Sequence, residues 1–206
     1  MKYNQLRLQI NKPYFTLDDL RLRGLKVYSY QFSLWQKRGY IKQLKRGTYV
    51  FADKEDELAP PEISFLLYQP SYLSLETALN HYGLIPEIVQ AQTAVTAKIN
   101  RRFKNSYGSF IYRHLKPSLF FGYTPAQTKY GKYLLAEPEK ALLDYLYLNL
   151  GKINTQNDIE NLRLNCQILR EIITKGKLDR YLKIFDSRKL NRTINQLLRQ
   201  CSPTNS

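Results

Sequence analysis

The 206-residue sequence predicts an α+β fold in two parts, a small N-terminal module followed by a larger body whose C-terminal region is helical. Three observations predict it. Helix-period segments and short β-prone runs are interleaved along the chain, the pattern of helices packed on a sheet. The acidic stretch 53–57 is followed by Pro60 and Pro61, which bar continuation of a helix and favour an extended connector. Charge is shared unevenly: residues 1–51 hold 11 Lys/Arg against 2 Asp/Glu, residues 52–149 hold 10 of each, and residues 150–206 hold 11 against 5. The module is therefore placed at 1–55, the body at 62–199 and a flexible polar tail at 200–206.

A formal charge of +15, concentrated at the two ends, implies an anionic partner, and nucleic acid is the first candidate. With 43% hydrophobic residues the chain has enough for a core, which excludes general disorder. No run approaches the roughly 18 apolar residues of a spanning helix, and no apolar segment follows the basic start. The expectation is a soluble cytoplasmic protein with no membrane role. Cys166 and Cys201 lie far apart in no metal-ligand or Cys-x-x-Cys spacing, so two reduced thiols are expected.

The module's elements follow from periodicity. Leu6, Leu8 and Ile10 form a first short segment. Thr16 suits the N-cap of a helix opening Leu17-Asp18-Asp19-Leu20, whose acids favour the helix dipole, and Gly24 suits its C-cap. A second helix runs from Ser29 to Gly39, with Tyr28, Phe32 and Trp35 on its apolar face. Runs 40–44 and 48–51 are β-prone, and the Lys45-Arg46-Gly47 turn supplies a glycine where a tight hairpin needs positive φ.

Helix, turn, helix and basic hairpin make the order of a winged helix-turn-helix, in which the second helix enters the major groove and the wing holds phosphates. On that reading Ser29, Tyr30, Ser33, Gln36 and Lys37 face bases, because hydroxyl and amide side chains read base edges, and Arg38, Lys42, Lys45 and Arg46 clamp phosphates. The plain alternative is a small α+β unit whose hairpin cations protect a strand edge.

At these residues a resemblance enters. FTLDDL at 15–20, WQKRGYI at 35–41 and RGTYVF at 46–51 resemble the winged-helix domain of the AbiEi family, antitoxins of abortive-infection type IV toxin–antitoxin systems. PSYLSLETALNHYGLIPE at 70–87 and AEPEKALLD at 136–144 resemble two longer blocks of the same family. The match spans roughly residues 13–150, and nothing in 151–206 contributes. The resemblance implies a transcriptional autorepressor that binds inverted repeats in its own promoter and opposes a nucleotidyltransferase-like toxin, with which it need not form a stable complex. No enzyme activity and no cofactor are expected.

In the body, Tyr72, Leu75, Leu79 and Tyr82 set a helix over 74–82, stopped by Gly83 and Pro86. Pro138 opens another, with Leu142, Tyr145 and Leu146 as its buried stripe. Runs 94–99, 109–112 and 118–123 read as strands. Three further helices are marked by Ile168, Leu169, Ile172 and Ile173, by Leu178, Leu182 and Phe185, and by Leu190, Ile194, Leu197 and Leu198.

Secondary contacts with DNA phosphates are expected from a basic loop carrying Lys98, Arg101, Arg102 and Lys104, and from Arg188, Lys189 and Arg192; a solvated charged face is the plainer reading of both. Glu76, His81, His114, Glu137, Glu139, Lys140 and Asp144 are the residues a catalytic reading would use. A metal-dependent nuclease wants acids and a Glu-x-Lys pair on a strand. Glu139 and Lys140 are adjacent and open a helix, so no metal site is expected and their plain reading is structural. Besides the nuclease, an ordinary winged-helix regulator with a ligand- or partner-sensing body stays open.

Overall fold

The Asp19 backbone N–H donates to the Thr16 hydroxyl at 3.0 Å, while the Thr16 N–H donates to the Asp19 carboxylate at 2.7 Å. This reciprocal cap starts a helix where the sequence expects one. The computed structural model describes residues 1–202, and the fold is α+β. Its first elements are α1 (Tyr3–Gln9), β1 (Tyr14–Thr16), α2 (Leu17–Leu22) and α3 (Ser29–Lys37), followed by β2 (Ile41–Lys45) and β3 (Thr48–Phe51). Thr16→Ala is expected to lower the stability of this unit by about 1 kcal/mol. Fluorescence of Trp35, the only tryptophan of the sequence and a core residue here, reads that loss in urea.

Gly39 and Gly47 have separate duties. Gly39, at φ +70°, ends α3: its N–H donates to the Gln36 carbonyl at 3.0 Å and the Tyr40 N–H to the Trp35 carbonyl at 2.9 Å. Gly47, at φ +79°, turns the hairpin, and its carbonyl accepts the Leu17 N–H at 3.0 Å, which ties the start of α2 to the turn. The hairpin is the tighter form of the expected one, because β2 continues through Lys45 and a register shift between Gln43 and Lys45 leaves Leu44 as the extra residue.

The strand β1 has no counterpart in the sequence reading. It pairs with β3, giving a three-stranded antiparallel sheet in the order β1-β3-β2. Phe15, Phe32 and Tyr49 stack beneath it, the last two at 4.8 Å, in a core shared with Leu6, Ile10, Leu20, Trp35, Ile41 and Phe51. Tyr28 does not join that core. Its backbone is extended at the α3 N-cap, so the helical period does not reach it, and it is 49% exposed against Tyr30.

The proline junction is also built differently. A 3₁₀ stretch covers Ala52–Glu57, and Pro60 and Pro61 open α4 (Pro60–Leu67) instead of an extended connector. Grouping by contacts gives a first unit of Met1–Ile63 with Thr128–Gly131, longer than the expected module, and a second of residues 64–127 and 132 onward.

The second unit holds β4 (Ser71–Leu73), α5 (Leu75–His81), β5 (Ala91–Thr96), β6 (Arg101–Asn105), β7 (Gly108–His114), β8 (Tyr123–Gln127) and β9 (Lys132–Ala136). They form a mixed sheet in the order β6-β7-β5-β4-β9-β8. Three expectations are corrected. The strand read at 94–99 runs three residues earlier, over Ala91–Thr96. The basic 98–104 loop becomes edge strand β6 from Arg101 on, and 118–123 is a 3₁₀ turn at Pro117–Leu119 and a connection that reaches strand only at Tyr123. Helices α6 (Pro138–Asn149), α7 (Gln156–Glu160), α8 (Cys166–Ile172), α9 (Lys175–Phe185) and α10 (Arg188–Gln200) complete it.

The two long sequence blocks of this unit meet in a buried polar network. Lys140 and Asp144, one turn apart on α6 and both fully buried, form an ion pair. The Tyr72 and Ser74 hydroxyls each donate to the Asp144 carboxylate at 2.9 Å, and the Lys140 ammonium donates to the Tyr72 oxygen at 2.8 Å. Rings of Tyr72, Phe121 and Phe185 surround that ammonium at 5.0–5.2 Å. Burial pushes Asp144 up and Lys140 down, and each opposes the other's shift.

The reduced thiols expected at Cys166 and Cys201 are instead a disulfide, joining the start of α8 to the residue after α10. Spacing hid it, since 35 positions and two intervening helices separate the partners. The expected tail shortens accordingly: Gln200 ends α10 and Cys201 is 2% exposed, while 203–206 lie outside the described residues. Closing a loop of this length contributes on the order of 2–4 kcal/mol. Dithiothreitol is therefore expected to lower the melting temperature of the wild type and to leave a Cys166→Ser/Cys201→Ser variant unmoved.

Candidate nucleic-acid interface

Helix α3 buries one side and offers the other. Phe32 and Trp35 sit in the core at 8% and 4% exposure, and Ser29, Tyr30, Ser33, Leu34 and Lys37 are exposed. Of the five expected base readers, Ser29, Tyr30, Ser33 and Lys37 thus share the outer face. Gln36 is half-buried and its amide donates to the Phe32 carbonyl at 3.3 Å, which turns it back along the helix. The Ser33 hydroxyl donates to the Ser29 carbonyl at 3.4 Å, leaving its oxygen lone pairs as acceptors.

The four expected phosphate ligands divide. Arg38 is exposed just past α3 and Arg46 in the hairpin turn, and Lys45 is half-buried at the end of β2. Lys42 is engaged with the Glu55 carboxylate at 2.6 Å, so its charge is already answered. Three more of the unit's acids are ion-paired, Asp53 with Arg7, Asp18 with Arg21, and Glu57 with Lys54 and Lys129, while the Asp19 carboxylate caps α2, Glu62 accepts the Thr128 hydroxyl and Asp56 is exposed. Hydrogen bonds from Tyr130 and Lys129 hold the Glu57 carboxyl down to about 2. Lys37, Arg38 and Arg46 pair with no acid among the described residues, which leaves net positive charge beside the α3 face.

Sequence reasoning missed part of this surface. Tyr28 stacks on Tyr30 with centroids 6.0 Å apart, Lys26 lies 5.5 Å over the Tyr28 ring, and Leu22 and Leu34 are 87% and 40% exposed. The signal was a Lys26-Val27-Tyr28 run outside the helical period. Below the surface, burial first and then the Glu62 and Asp19 charges push the Tyr14 phenol up to about 12, so it stays neutral.

The secondary candidates are scattered over the second unit. Arg101, Arg102 and Lys104 are exposed on edge strand β6, where cations also discourage edge pairing. Lys98 precedes that strand, 5.7 Å over the Tyr68 ring. Arg188 and Arg192 are exposed on α10, whereas Lys189 donates to the Leu150 carbonyl at 2.6 Å and to Asn154 at 3.0 Å, fastening the end of α6.

Most of the residues a catalytic reading would use are engaged structurally, Lys140 and Asp144 in the buried pair on α6. Glu137 pairs with Lys177 at 3.2 Å and Glu139 accepts the Thr174 N–H at 2.9 Å, together docking α9. His114 faces the Lys98 carbonyl at 2.8 Å and His81 is exposed. Among the described residues no three His, Cys, Asp or Glu side chains gather as metal ligands, and no helix is long and apolar enough to cross a membrane.

The chain is similar to the crystal structure of RV2827C protein from Mycobacterium tuberculosis, with a TM-score of 0.59 over 94% of this chain and 74% of that one. At 14% identity the likeness speaks to the α+β fold alone. No protein-family description and no curated protein matches the chain.

Proposed function

We propose that the chain is a DNA-binding antitoxin of a type IV toxin–antitoxin system, a transcriptional autorepressor in the cytoplasm without enzyme activity or cofactor. The observation that carries the DNA-binding half is the outer face of α3, with Ser29, Tyr30, Ser33 and Lys37 beside Arg38 and Arg46. None of these three cations is paired with an acid among the described residues, on a unit where Asp53, Glu55 and Glu57 are ion-paired with other residues. Helix, strand, helix, helix and hairpin, with the sheet order β1-β3-β2, support reading the first unit as a winged helix-turn-helix. In that arrangement α3 lies in the major groove of double-stranded promoter DNA and the Arg46 turn follows the phosphates.

The antitoxin half rests on the family resemblance of 70–87 and 136–144, and the partner it implies is a nucleotidyltransferase-like toxin. A cytoplasmic setting is reducing, so the Cys166–Cys201 bond would there be exposed to cellular thiols. Two assays in one host test the proposal. Expression of the chain is expected to silence a reporter driven by its own upstream region, and to restore growth when the neighbouring nucleotidyltransferase-like gene is induced. An unsilenced reporter overturns the repressor; growth arrest that persists overturns the antitoxin.

A further inference from the structure

On the face of the second unit's sheet formed by Ala91, Thr93 and Ile111 lies a cavity of about 460 Å³, between α5, α6, the 85–91 loop and the turn at 161–162. That volume is within the range of small-molecule sites. Its lining is unlike the rest of the molecule. The chain carries +15 overall, yet the only charged residues lining the cavity are two acids, Glu76 from α5 and Glu87 from the loop. The remaining wall is largely apolar, with Ile85, Ile88 and Leu162.

Neither carboxylate is neutralised from within. Glu76 is only partly exposed and has no hydrogen bond or ion pair among the described residues. Glu87 has Arg163 at 4.0 Å, with side chains 49% and 74% exposed, a surface pair that contributes little. Tyr145 lines the same cavity. Burial and then the Glu76 and Glu87 charges push that phenol above its ordinary value, so it stays a neutral hydroxyl. Ile88 is 91% exposed at the rim, apolar surface that an occupant would cover.

We propose that this cavity binds a small organic cation with an apolar body, its ammonium or amidinium held by Glu76 and Glu87 and its body against Ile85, Ile88 and Ile111. An anion would meet two carboxylates and no lining cation, and a purely apolar molecule would leave Glu76 desolvated without a partner. A charge-assisted contact gives the site its preference, and the apolar wall selects against bare inorganic cations. All of its lining residues belong to the second unit.

Benzamidine and its neutral isostere benzamide separate charge from shape. With the full chain labelled at isoleucine methyl groups, benzamidine is expected to shift Ile85, Ile88 and Ile111 in a saturable titration. Benzamide should bind about tenfold more weakly or worse. Glu76→Gln keeps the side chain's shape and is expected to reduce benzamidine affinity several-fold while leaving benzamide unchanged, and Glu87→Gln to do the same. Unaltered spectra away from the cavity establish that each variant is folded. Equal affinity for the two probes, no shift at those isoleucines up to about 10 mM benzamidine, or indifference to both substitutions overturns the site.

Discussion

Asp144→Ala destabilises the second unit by an expected 3–5 kcal/mol, roughly the cost of breaking a buried ion pair from one side. The loss exceeds the pair itself. Without the carboxylate, the Lys140 ammonium is left at 0% exposure among three aromatic rings, and the Tyr72 and Ser74 hydroxyls lose their common acceptor. Against a domain stability of about 5–15 kcal/mol such a change removes much of the margin. Lys140→Met leaves the mirror-image problem, a buried Asp144 that two hydroxyls alone must satisfy, and should cost a similar amount.

The double variant Lys140→Met/Asp144→Ala, which combines those two changes, then becomes informative. Apolar replacement of both charges removes the desolvation cost together with the attraction, so the double variant is expected to recover most of the loss. Urea unfolding followed by far-UV circular dichroism gives the three values. Additive losses in the double variant would mean that the two side chains act separately.

The second large effect concerns the surface of the first unit. Arg38→Ala with Arg46→Ala should weaken binding to any duplex and reduce the slope of log affinity against log salt by about two units, one for each lost phosphate contact. Lys42→Ala serves as the internal comparison. Its ammonium lies 2.6 Å from the Glu55 carboxylate, so a phosphate gains from it only by displacing an existing partner. A Lys42→Ala effect equal to that of the arginine pair would relocate the clamp from the turn to the middle of β2.

Legibility in the sequence followed the length and regularity of each element. The ends of α3 were readable because Gly39 closes it and Phe32 and Trp35 keep the helical period; α5 was readable for the same reasons, and α6 from Pro138 at its start and the Leu142–Leu146 stripe. Strands β1, β4 and β9 were not. Each of the first two offers three residues, too few for alternation to declare itself, and β9 joins the sheet partly through a single parallel pairing, Leu73 with Leu135. β6 was hidden by its own charges, because an edge strand tolerates cations that a central strand would not.

The site was partly legible for a related reason. Ser29, Ser33 and Lys37 recur every four residues, so one exposed face carries all three, whereas Gln36 falls beside the buried stripe and bonds back to Phe32. The Lys42–Glu55 pair joins residues 13 apart, and the cavity on the second sheet gathers Glu76, Glu87, Tyr145 and Leu162 from four segments. Neither convergence leaves a local pattern.

Fluorescence anisotropy of the full chain, on a duplex from its own upstream region and on a shuffled duplex of equal composition, each at several salt concentrations, decides whether α3 and the adjoining turn read DNA. Affinity about a thousandfold tighter or more is expected for the native duplex, with binding to both falling steeply as salt rises. Equal affinity for the two duplexes, or binding that ignores salt, would contradict DNA reading by α3.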